Sequence, residues 1–220
     1  MALAFDVFWS FRSPYSYLAT PRLVALEGRY ELTINVRPVL PLAVRSADFF
    51  DRVNPLWPPY LMRDVSRLGE FLGLPISWPR PDPVLQVREG DRLVAPADQP
   101  HIHRLTRLGQ LAAERGRGLP FLREVSHLIW SGEVSGWNEG EHLAKASERA
   151  GLDLAELDEL AGSEEGRIDE AIAGNQAALE AAGHWGVPTC VFEGEPFFGQ
   201  DRLDLLEWRL LQRGLRERQE

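Results

Sequence analysis

The chain of 220 residues carries 33 acidic and 24 basic side chains, which gives a formal net charge of −9 at pH 7. A content of 44% hydrophobic and 26% charged residues is typical of one large globular domain, or of a small domain with an insertion. The acidic balance argues against nucleic acid as a partner, because such binding depends on Lys and Arg that neutralise phosphates. The longest apolar stretch, Val39 to Val44, is too short to span a membrane, and the start of the chain has no basic leader before Asp6. We therefore expect a cytoplasmic protein with no membrane partner.

Cysteine and histidine usage limits the possible chemistry. The single cysteine, Cys190, excludes an internal disulfide, a CxxC redox pair and a zinc site built from several cysteines. None of the five histidines forms an HExxH motif, so we predict no metal. Cys190 begins a short apolar segment and is expected to be a small core residue.

The chain begins with a strand, a helix and a second strand. Segment 3–9 is rich in apolar and aromatic residues and has the length of a buried strand. The apolar spacing predicts a helix from Pro14 to about Glu27, with Ser13 as its N-cap. Alternating residues over 31–40 predict the second strand, and this order favours a mostly parallel sheet.

Helical patterns dominate the middle of the chain. Periodicity is lost between Pro41 and Pro58, and a helix is predicted from about Tyr60 to Leu72. The proline-rich segment 75–100 is expected to be an extended loop. Further helices are predicted over 101–115, 119–130, 138–150, 154–160 and 164–182.

The C-terminal part returns to an α/β pattern. Segment 184–189 is a predicted turn, in which His184 and Trp185 are expected to be structural, and 190–193 is a short strand. A hairpin turn at 194–195 leads into 196–198, and residues 199–201 are expected to cap a final helix that ends near Gln212. The simplest arrangement is an α/β domain, residues 1–41 and 184–220, interrupted by a helical domain over 42–183.

Three short motifs lie where elements of the α/β part begin or end. Ser13 combines a hydroxyl with the N–H groups of a helix start, which suits a bound thiolate, although it is also an ordinary helix cap. Val187-Pro188, with a cis bond, would expose the backbone of Val187 to a peptide-like ligand, whereas an ordinary trans proline would not. Gln200 and Asp201 would either cap the last helix or hold the ammonium and carboxylate of an amino acid.

Longer motifs around these positions carry a resemblance to a known family. They are Phe11-Arg12-Ser13-Pro14-Tyr15-Ser16-Tyr17-Leu18-Ala19, Tyr60-Leu61-Met62-Arg63-Asp64, Gly186-Val187-Pro188-Thr189 and Phe197-Phe198-Gly199-Gln200-Asp201-Arg202-Leu203. The chain resembles the kappa-class glutathione transferases and 2-hydroxychromene-2-carboxylate isomerases, relatives of the bacterial disulfide oxidoreductases. The resemblance spans nearly the whole chain. It implies a thioredoxin-like domain with a large inserted all-helical domain, a homodimer, and reduced glutathione as cofactor.

The resemblance also assigns roles to individual residues. Ser13 would donate a hydrogen bond to the glutathione sulfur, and Val187, before a cis Pro188, would pair its backbone with the cysteinyl part. Gln200 and Asp201 would hold the γ-glutamyl end. Disulfide oxidoreduction is strongly disfavoured, because Ser13 and Ser16 stand at the two CxxC positions.

The loop before the Tyr60 helix both matches the family and departs from it. Asn54 corresponds to an asparagine that lies near the thiol and the substrate. Many members have a longer loop with a basic residue that meets a glutathione carboxylate, whereas segment 54–59 is short and has none. Arg52 and Arg63 are the two candidates to supply this charge.

The substrate side is predicted to contain aromatic and basic residues. The candidates that line it are Trp57, Tyr60 and Trp130, and a positive pocket for an aromatic carboxylate would be formed by Arg12, Arg63 and Arg202. The implied reaction is a cis–trans isomerisation in which a thiolate adds to a conjugated carbon, the bond rotates, and the thiolate leaves. The alternatives are a transferase that conjugates glutathione to electrophiles and a non-catalytic module that binds a thiol peptide.

Overall fold

The computed structural model describes residues 2–46, 49–90 and 92–219. The strands are β1 (Leu3–Trp9), β2 (Leu32–Pro38), β3 (Val87–Glu89), β4 (Arg92–Val94), β5 (Thr189–Phe192) and β6 (Glu195–Phe198). The helices are α1 (Pro14–Arg29), α2 (Leu42–Arg45), α3 (Phe49–Arg52), α4 (Trp57–Leu72), α5 (Pro100–Glu114), α6 (Gly118–Trp130), α7 (His142–Arg149), α8 (Leu154–Ser163), α9 (Glu165–Ala181) and α10 (Leu203–Gln212). A 3-10 turn, Gln200–Arg202, precedes α10.

The main sheet has the strand order β2-β1-β5-β6. Strands β1 and β2 are parallel, with Phe5 opposite Ile34. Strand β5 runs antiparallel to β1, with Thr189 opposite Phe8, and β6 returns antiparallel to β5. The prediction of a mostly parallel sheet is therefore wrong. The α/β assignment is confirmed, but β5 and β6 form a hairpin that enters the sheet in the opposite direction.

This topology brings three distant segments to one edge of the sheet. The carboxyl ends of β1 and β2 lie at the edge where β5 begins, because β5 is antiparallel to β1. The turn after β1, the helix α2 after β2 and the segment 184–188 before β5 therefore share this edge. In open α/β sheets, ligands bind outside the carboxyl ends of such strands.

Among the described residues, the region predicted as the insertion, 42–183, consists of helices α2 to α9, the loops that connect them and a small hairpin. Strands β3 and β4 pair antiparallel within segment 75–100, which was predicted to be an extended loop. The helical assignments over 101–182 are confirmed with shifted ends; α7, for example, begins at His142 rather than at residue 138. Among the described residues, no helix combines the length and the apolar character needed to cross a bilayer.

A single large core joins the inserted helices to the sheet. Trp9 of β1 and Trp130 of α6 are both fully buried in it. The indole N–H of Trp130 donates to the carbonyl of Phe11 at 2.9 Å, which fixes α6 against the turn after β1. This core contains residues from both sides of the predicted domain boundaries at 41/42 and 183/184. The division into two domains at those positions therefore stays a prediction.

Candidate active site

Ser13 caps α1 as the sequence predicts. Its backbone is extended, with φ −93° and ψ 114°, and its Oγ accepts a hydrogen bond from the N–H of Ser16 at 3.2 Å. Pro14 occupies the first helical position, where a missing N–H leaves nothing unsatisfied. The N–H of Tyr15, in the same first turn, has no hydrogen-bond partner within 2–46, 49–90 and 92–219. The start of α1 therefore presents an unused donor beside a serine hydroxyl.

The Ser13 hydroxyl also reaches the segment before β5. Its Oγ donates to the carbonyl of Val187 at 3.3 Å. The Val187–Pro188 bond is cis, as expected from the resemblance. The N–H of Val187 has no hydrogen-bond partner in the described part of the chain. Val187 packs against the small buried cluster of Phe8, Val39 and Leu179.

Hydrogen bonds fix the segment around Pro188 from both sides. The buried Thr189 donates through Oγ1 to the carbonyl of Gly186 at 2.7 Å. The N–H of Gly199 donates to the carbonyl of Pro188 at 2.9 Å. Gly199 has φ 107°, and a Cβ at this position would lie 2.5 Å from Oδ1 of Asp201, so glycine is required here.

Gln200 and Asp201 lie next to this segment because Gly199 bonds to Pro188. Gln200 is buried, and its carbonyl accepts a hydrogen bond from Arg22 at 3.0 Å. Asp201 is exposed and forms an ion pair with Arg202 at 2.7 Å, and no side chain in the described part of the chain caps the 3-10 turn or α10. The prediction that these residues cap the last helix is therefore wrong. Their roles toward a ligand stay predictions.

Asn54 lies in the exposed turn before α4. Its Oδ1 accepts a hydrogen bond from the N–H of Leu56 at 3.0 Å, and its carbonyl accepts one from the N–H of Trp57 at 2.8 Å. Among the described residues, no hydrogen bond joins its side chain to Ser13. The structure thus gives Asn54 a local role in the turn, and its predicted role near the thiol stays a prediction.

The predicted substrate residues Trp57, Tyr60 and Arg63 lie on α4. Trp57 and Tyr60 are 42% and 53% exposed, so both rings are available to a ligand. Arg63 is exposed and donates to the carbonyl of Pro59, one turn earlier in its own helix, at 3.2 Å. These positions are compatible with substrate contact, which stays a prediction.

Asp64 ties α4 to the start of α1, a contact that sequence reasoning missed. The Tyr15 hydroxyl donates to Asp64 Oδ2 at 2.8 Å, the Tyr60 hydroxyl to Oδ1 at 3.3 Å, and Arg67 to Oδ1 at 2.6 Å. Burial and the bond to Asp64 raise the pKa of Tyr15. Burial alone would raise the pKa of Asp64, but these three hydrogen bonds outweigh it and lower that pKa. Tyr60 and Asp64 lie one helical turn apart in the sequence, and this spacing is the signal from which a contact between them could have been predicted.

Arg12, in the turn after β1, contacts Asp82 and Trp78. Its Nε lies 2.5 Å from Asp82 Oδ1, and its guanidinium carbon lies 4.9 Å from the ring centroid of Trp78. No described contact joins it to Arg63 or Arg202. Trp130, a predicted substrate residue, is fully buried beneath this group. The prediction that Trp130 lines the substrate side is therefore wrong.

Cys190 is confirmed as a core residue. It lies in β5 opposite Val7, and burial raises the pKa of its thiol to about 12.

Within the described ranges, no cluster of three His, Cys, Asp or Glu residues has the geometry to hold a metal ion. The hydroxyl of Ser16 is fully buried. Ser13, by contrast, is only partly buried, so its hydroxyl is the accessible one of these two serines at the start of α1.

Three aromatic rings form an exposed group beside Val187. The ring of His184 is stacked on that of Trp185, with centroids 5.3 Å apart, and on that of Phe198, with centroids 4.0 Å apart. Trp185 is 58% exposed, and the expectation that it is structural stays a prediction. We call Trp185, His184 and Phe198 the aromatic stack.

Comparisons with known proteins agree with this geometry. The model of the DSBA-like thioredoxin domain matches residues 4–211. The chain is 29% identical over 215 residues to a 2-hydroxychromene-2-carboxylate isomerase of Sphingobium xenophagum, which covers 96% of this chain and 100% of the relative. The resemblance drawn from the motifs is thereby confirmed.

Solved structures show the same fold. A 2-hydroxychromene-2-carboxylate isomerase superposes with a TM-score of 0.68 at 24% identity, covering 96% of this chain and 95% of the other. The cytosolic disulfide reductase DsbM of Pseudomonas aeruginosa, solved with GSH, superposes with a TM-score of 0.57 at 16% identity, covering 94% and 99%. This chain belongs to the family of DSBA-like thioredoxin domains.

Proposed function

We propose that this protein is a glutathione-dependent cis–trans isomerase that acts on a 2-hydroxychromene-2-carboxylate or a similar aromatic carboxylate. One observation carries the proposal: the Ser13 hydroxyl, at the start of α1, lies 3.3 Å from the carbonyl of Val187. The isomerase of Sphingobium xenophagum, similar over its whole length, supports the reaction class. DsbM, solved with GSH, supports the cofactor, since this fold is able to hold that peptide.

The residues around Ser13 fit a thiol peptide. The N–H of Val187, unpartnered in the described part of the chain, suits the backbone of an extended peptide, as in strand addition. Ser13 has one hydroxyl hydrogen, which points to the Val187 carbonyl. When a thiolate is bound, this hydrogen turns from the carbonyl to the sulfur. The N–H of Tyr15 adds a second donor at the positive end of the helix.

The free energy that these donors contribute is large enough to stabilise a thiolate. A free thiol has a pKa of about 8.5, and lowering it by about two units requires about 2.7 kcal/mol. A hydrogen bond to a charged group contributes about 1.5–3 kcal/mol, and a helix start about 0.3–1 kcal/mol. Together, Ser13 and the start of α1 therefore supply enough free energy to lower the thiol pKa by about two units. Glutathione, when bound as thiolate, supplies a nucleophile that adds to a conjugated carbon and leaves again after bond rotation.

The remaining predictions concern the surroundings of this site. Trp57 and Tyr60 are proposed to face the substrate from α4, and the Tyr15–Asp64 bond holds that helix against α1. Gln200 and Asp201 are proposed to hold the γ-glutamyl end, since Gly199 joins their turn to Pro188. The homodimer and the cytoplasmic location stay predictions.

The proposal is tested by following the isomerisation of 2-hydroxychromene-2-carboxylate by its ultraviolet absorbance, with and without reduced glutathione. We expect turnover to require glutathione and to leave its concentration unchanged. Ser13→Ala should lower kcat/KM about 10- to 100-fold, in line with the loss of one hydrogen bond to a charged group, about 1.5–3 kcal/mol. Ser163→Ala, at the exposed end of α8, is the control and should match the wild type.

Two results would contradict this proposal. The first is turnover that does not need a thiol, or that Ser13→Ala leaves unchanged. The second is consumption of one glutathione for each substrate molecule. The second result would assign the protein to the transferases instead.

A further inference from the structure

Arg45 is a buried guanidinium at the same edge of the sheet as Ser13. It ends α2, and only 5% of its side chain is exposed. Its Nη2 donates to the carbonyl of Trp185 at 2.8 Å, and its Nε is buried without a hydrogen-bond partner in the described part of the chain. The nearest carboxylate among the described residues is that of Glu180, 4.0 Å from Nη1 and itself 58% exposed. Burial lowers the pKa of Arg45.

This environment leaves the positive charge of Arg45 poorly matched. A guanidinium has five N–H donors in a planar fork that fits a carboxylate, yet among the described residues its one hydrogen bond goes to a neutral carbonyl. A buried charge is costly unless an opposite charge and further hydrogen bonds compensate for it. Glu180 lies beyond hydrogen-bond distance and is shared with solvent, so it compensates weakly. A carboxylate from a ligand would supply the missing partner.

The position of Arg45 relates it to the proposed site. Trp185, whose carbonyl it holds, is two residues before Val187, and the carbonyl of Val187 accepts the Ser13 hydroxyl. Helix α2 follows the carboxyl end of β2, which is paired to β1 along its length. Arg45 and Ser13 therefore contact opposite ends of the same short segment, 185–187.

The aromatic stack supplies a second feature in the segment that Arg45 contacts. The ring of Trp185 lies nearly parallel to that of His184, at 17°, and His184 to Phe198, at 22°. Trp185 and Phe198 are 58% and 43% exposed, so a flat apolar surface faces solvent. The Nδ1 of His184 accepts the N–H of Gly186 at 2.9 Å, which fixes the middle ring. Such a surface suits a planar aromatic ligand.

We propose that Arg45 and Trp185 form a subsite for an aromatic carboxylic acid, with the carboxylate on Arg45 and the ring against Trp185. This inference rests on the proposed function and assigns substrate recognition to the segment before Pro188 as well as to α4. A carboxylate is also present in glutathione. The exposed ring of Trp185 favours the aromatic acid as its source.

The test uses trans-cinnamate and its neutral amide, trans-cinnamamide, as probes in calorimetric titrations that need no turnover. The wild type should bind cinnamate about tenfold more tightly than cinnamamide, the preference expected from one charged hydrogen-bond pair. Arg45→Gln should abolish this preference and leave cinnamamide binding unchanged. Arg45→Lys should restore part of it. Arg123→Gln removes an exposed arginine of α6 and should preserve it.

Trp185→Ala separates the contribution of the ring from that of the charge. It should weaken both probes by the same factor and keep the preference for cinnamate. Titration of reduced glutathione into Arg45→Gln should give the wild-type affinity. A selective loss of glutathione binding would instead assign the carboxylate on Arg45 to the thiol peptide and overturn the proposal.

Three further results would overturn the proposal. They are no binding of cinnamate to the wild type, an equal affinity for cinnamate in Arg45→Gln, and an equal loss of both probes in that variant. The last result would mean that Arg45 only holds the segment 185–187 in place. Binding of cinnamate through Arg45 by a protein that does not isomerise its substrate would overturn the proposed function alone.

Discussion

The hydroxyl of Ser13 and the carbonyl of Val187 lie 3.3 Å apart, although 174 positions separate the two residues in the sequence. The contact exists because β5 pairs antiparallel with β1, placing Thr189 opposite Phe8 and the segment before it beside the turn after β1. The whole helical insertion lies between these two strands in the sequence. The candidate site is therefore created by the sheet, and it is sensitive to anything that moves β5 along β1.

The hydrogen bond of Thr189 is expected to support the backbone of Val187. Thr189→Val keeps the shape but leaves the buried carbonyl of Gly186 without its partner. We expect the free energy of unfolding to fall by about 1–3 kcal/mol, as measured by urea denaturation, and glutathione binding to weaken. Thr33→Val, on the exposed face of β2, is the control and should change stability by less than about 0.5 kcal/mol. Equal effects of the two variants would contradict this account.

Gly186 is expected to be required by the aromatic stack. A Cβ at this position would lie 2.7 Å from the ring of Phe198 and 3.2 Å from that of His184, so Gly186→Ala must displace the stack. We expect weaker binding of cinnamate in calorimetric titrations. The control is Gly174→Ala in α9, where a Cβ would meet nothing within 4 Å. That variant should raise the free energy of unfolding by up to about 1 kcal/mol and leave binding unchanged. Unchanged cinnamate binding in Gly186→Ala would speak against the subsite.

The Asp64 cluster is expected to stabilise the protein in a pH-dependent way. Because hydrogen bonds lower the pKa of Asp64 in the folded state, its contribution is complete above the ordinary carboxyl pKa of about 4 and is lost as the pH falls through the lowered value. Asp64→Asn should therefore cost about 1–2 kcal/mol near neutral pH and less in acid. Urea denaturation at several pH values measures this difference. Asp98→Asn, at an exposed position, is the control, and a cost for Asp64→Asn that grows in acid would contradict the argument.

The thiol of Cys190 is expected to be unreactive in the folded protein. Burial keeps the thiol away from reagents and raises its pKa to about 12, so little thiolate is present in neutral or mildly alkaline solution. Iodoacetamide should label the protein only after unfolding in urea, as measured by mass spectrometry. Cys190→Ala should retain the isomerase activity proposed for Ser13. Rapid labelling of the native protein, or loss of activity in this variant, would point to a role for the cysteine.

The parts of the fold that depend on neighbours in the sequence were predictable. Ser13 and Pro14 are a local cap signal, and the strand, helix and strand that surround them appear in the structure with small shifts. The direction of β5 was not predictable, because a short apolar segment does not specify which strand it pairs with or how. The hairpin β3–β4 lay in a segment whose prolines suppress the strand pattern.

In the candidate site too, local motifs were predictable from the sequence, whereas contacts between distant residues were not. The motif around Ser13 and that around Pro188 were found separately, and the resemblance joined them. The contact between Arg45 and Trp185 joins residues 140 positions apart, so no local pattern indicates it. Trp130 and Trp57 are both tryptophans on amphipathic helices. Only tertiary packing decides that the first is fully buried and the second is 42% exposed.

The central claim is that Ser13 stabilises a bound thiolate, and calorimetric titration of reduced glutathione into wild type and Ser13→Ala tests it most directly. The titrations are made at about pH 7 in two buffers of different ionisation enthalpy, below the ordinary thiol pKa of about 8.5. We predict that binding to the wild type, with the thiol pKa lowered by about two units, releases roughly 0.7 of a proton at pH 7 and that Ser13→Ala releases almost none. No binding to either protein, or equal proton release by both, would contradict the claim.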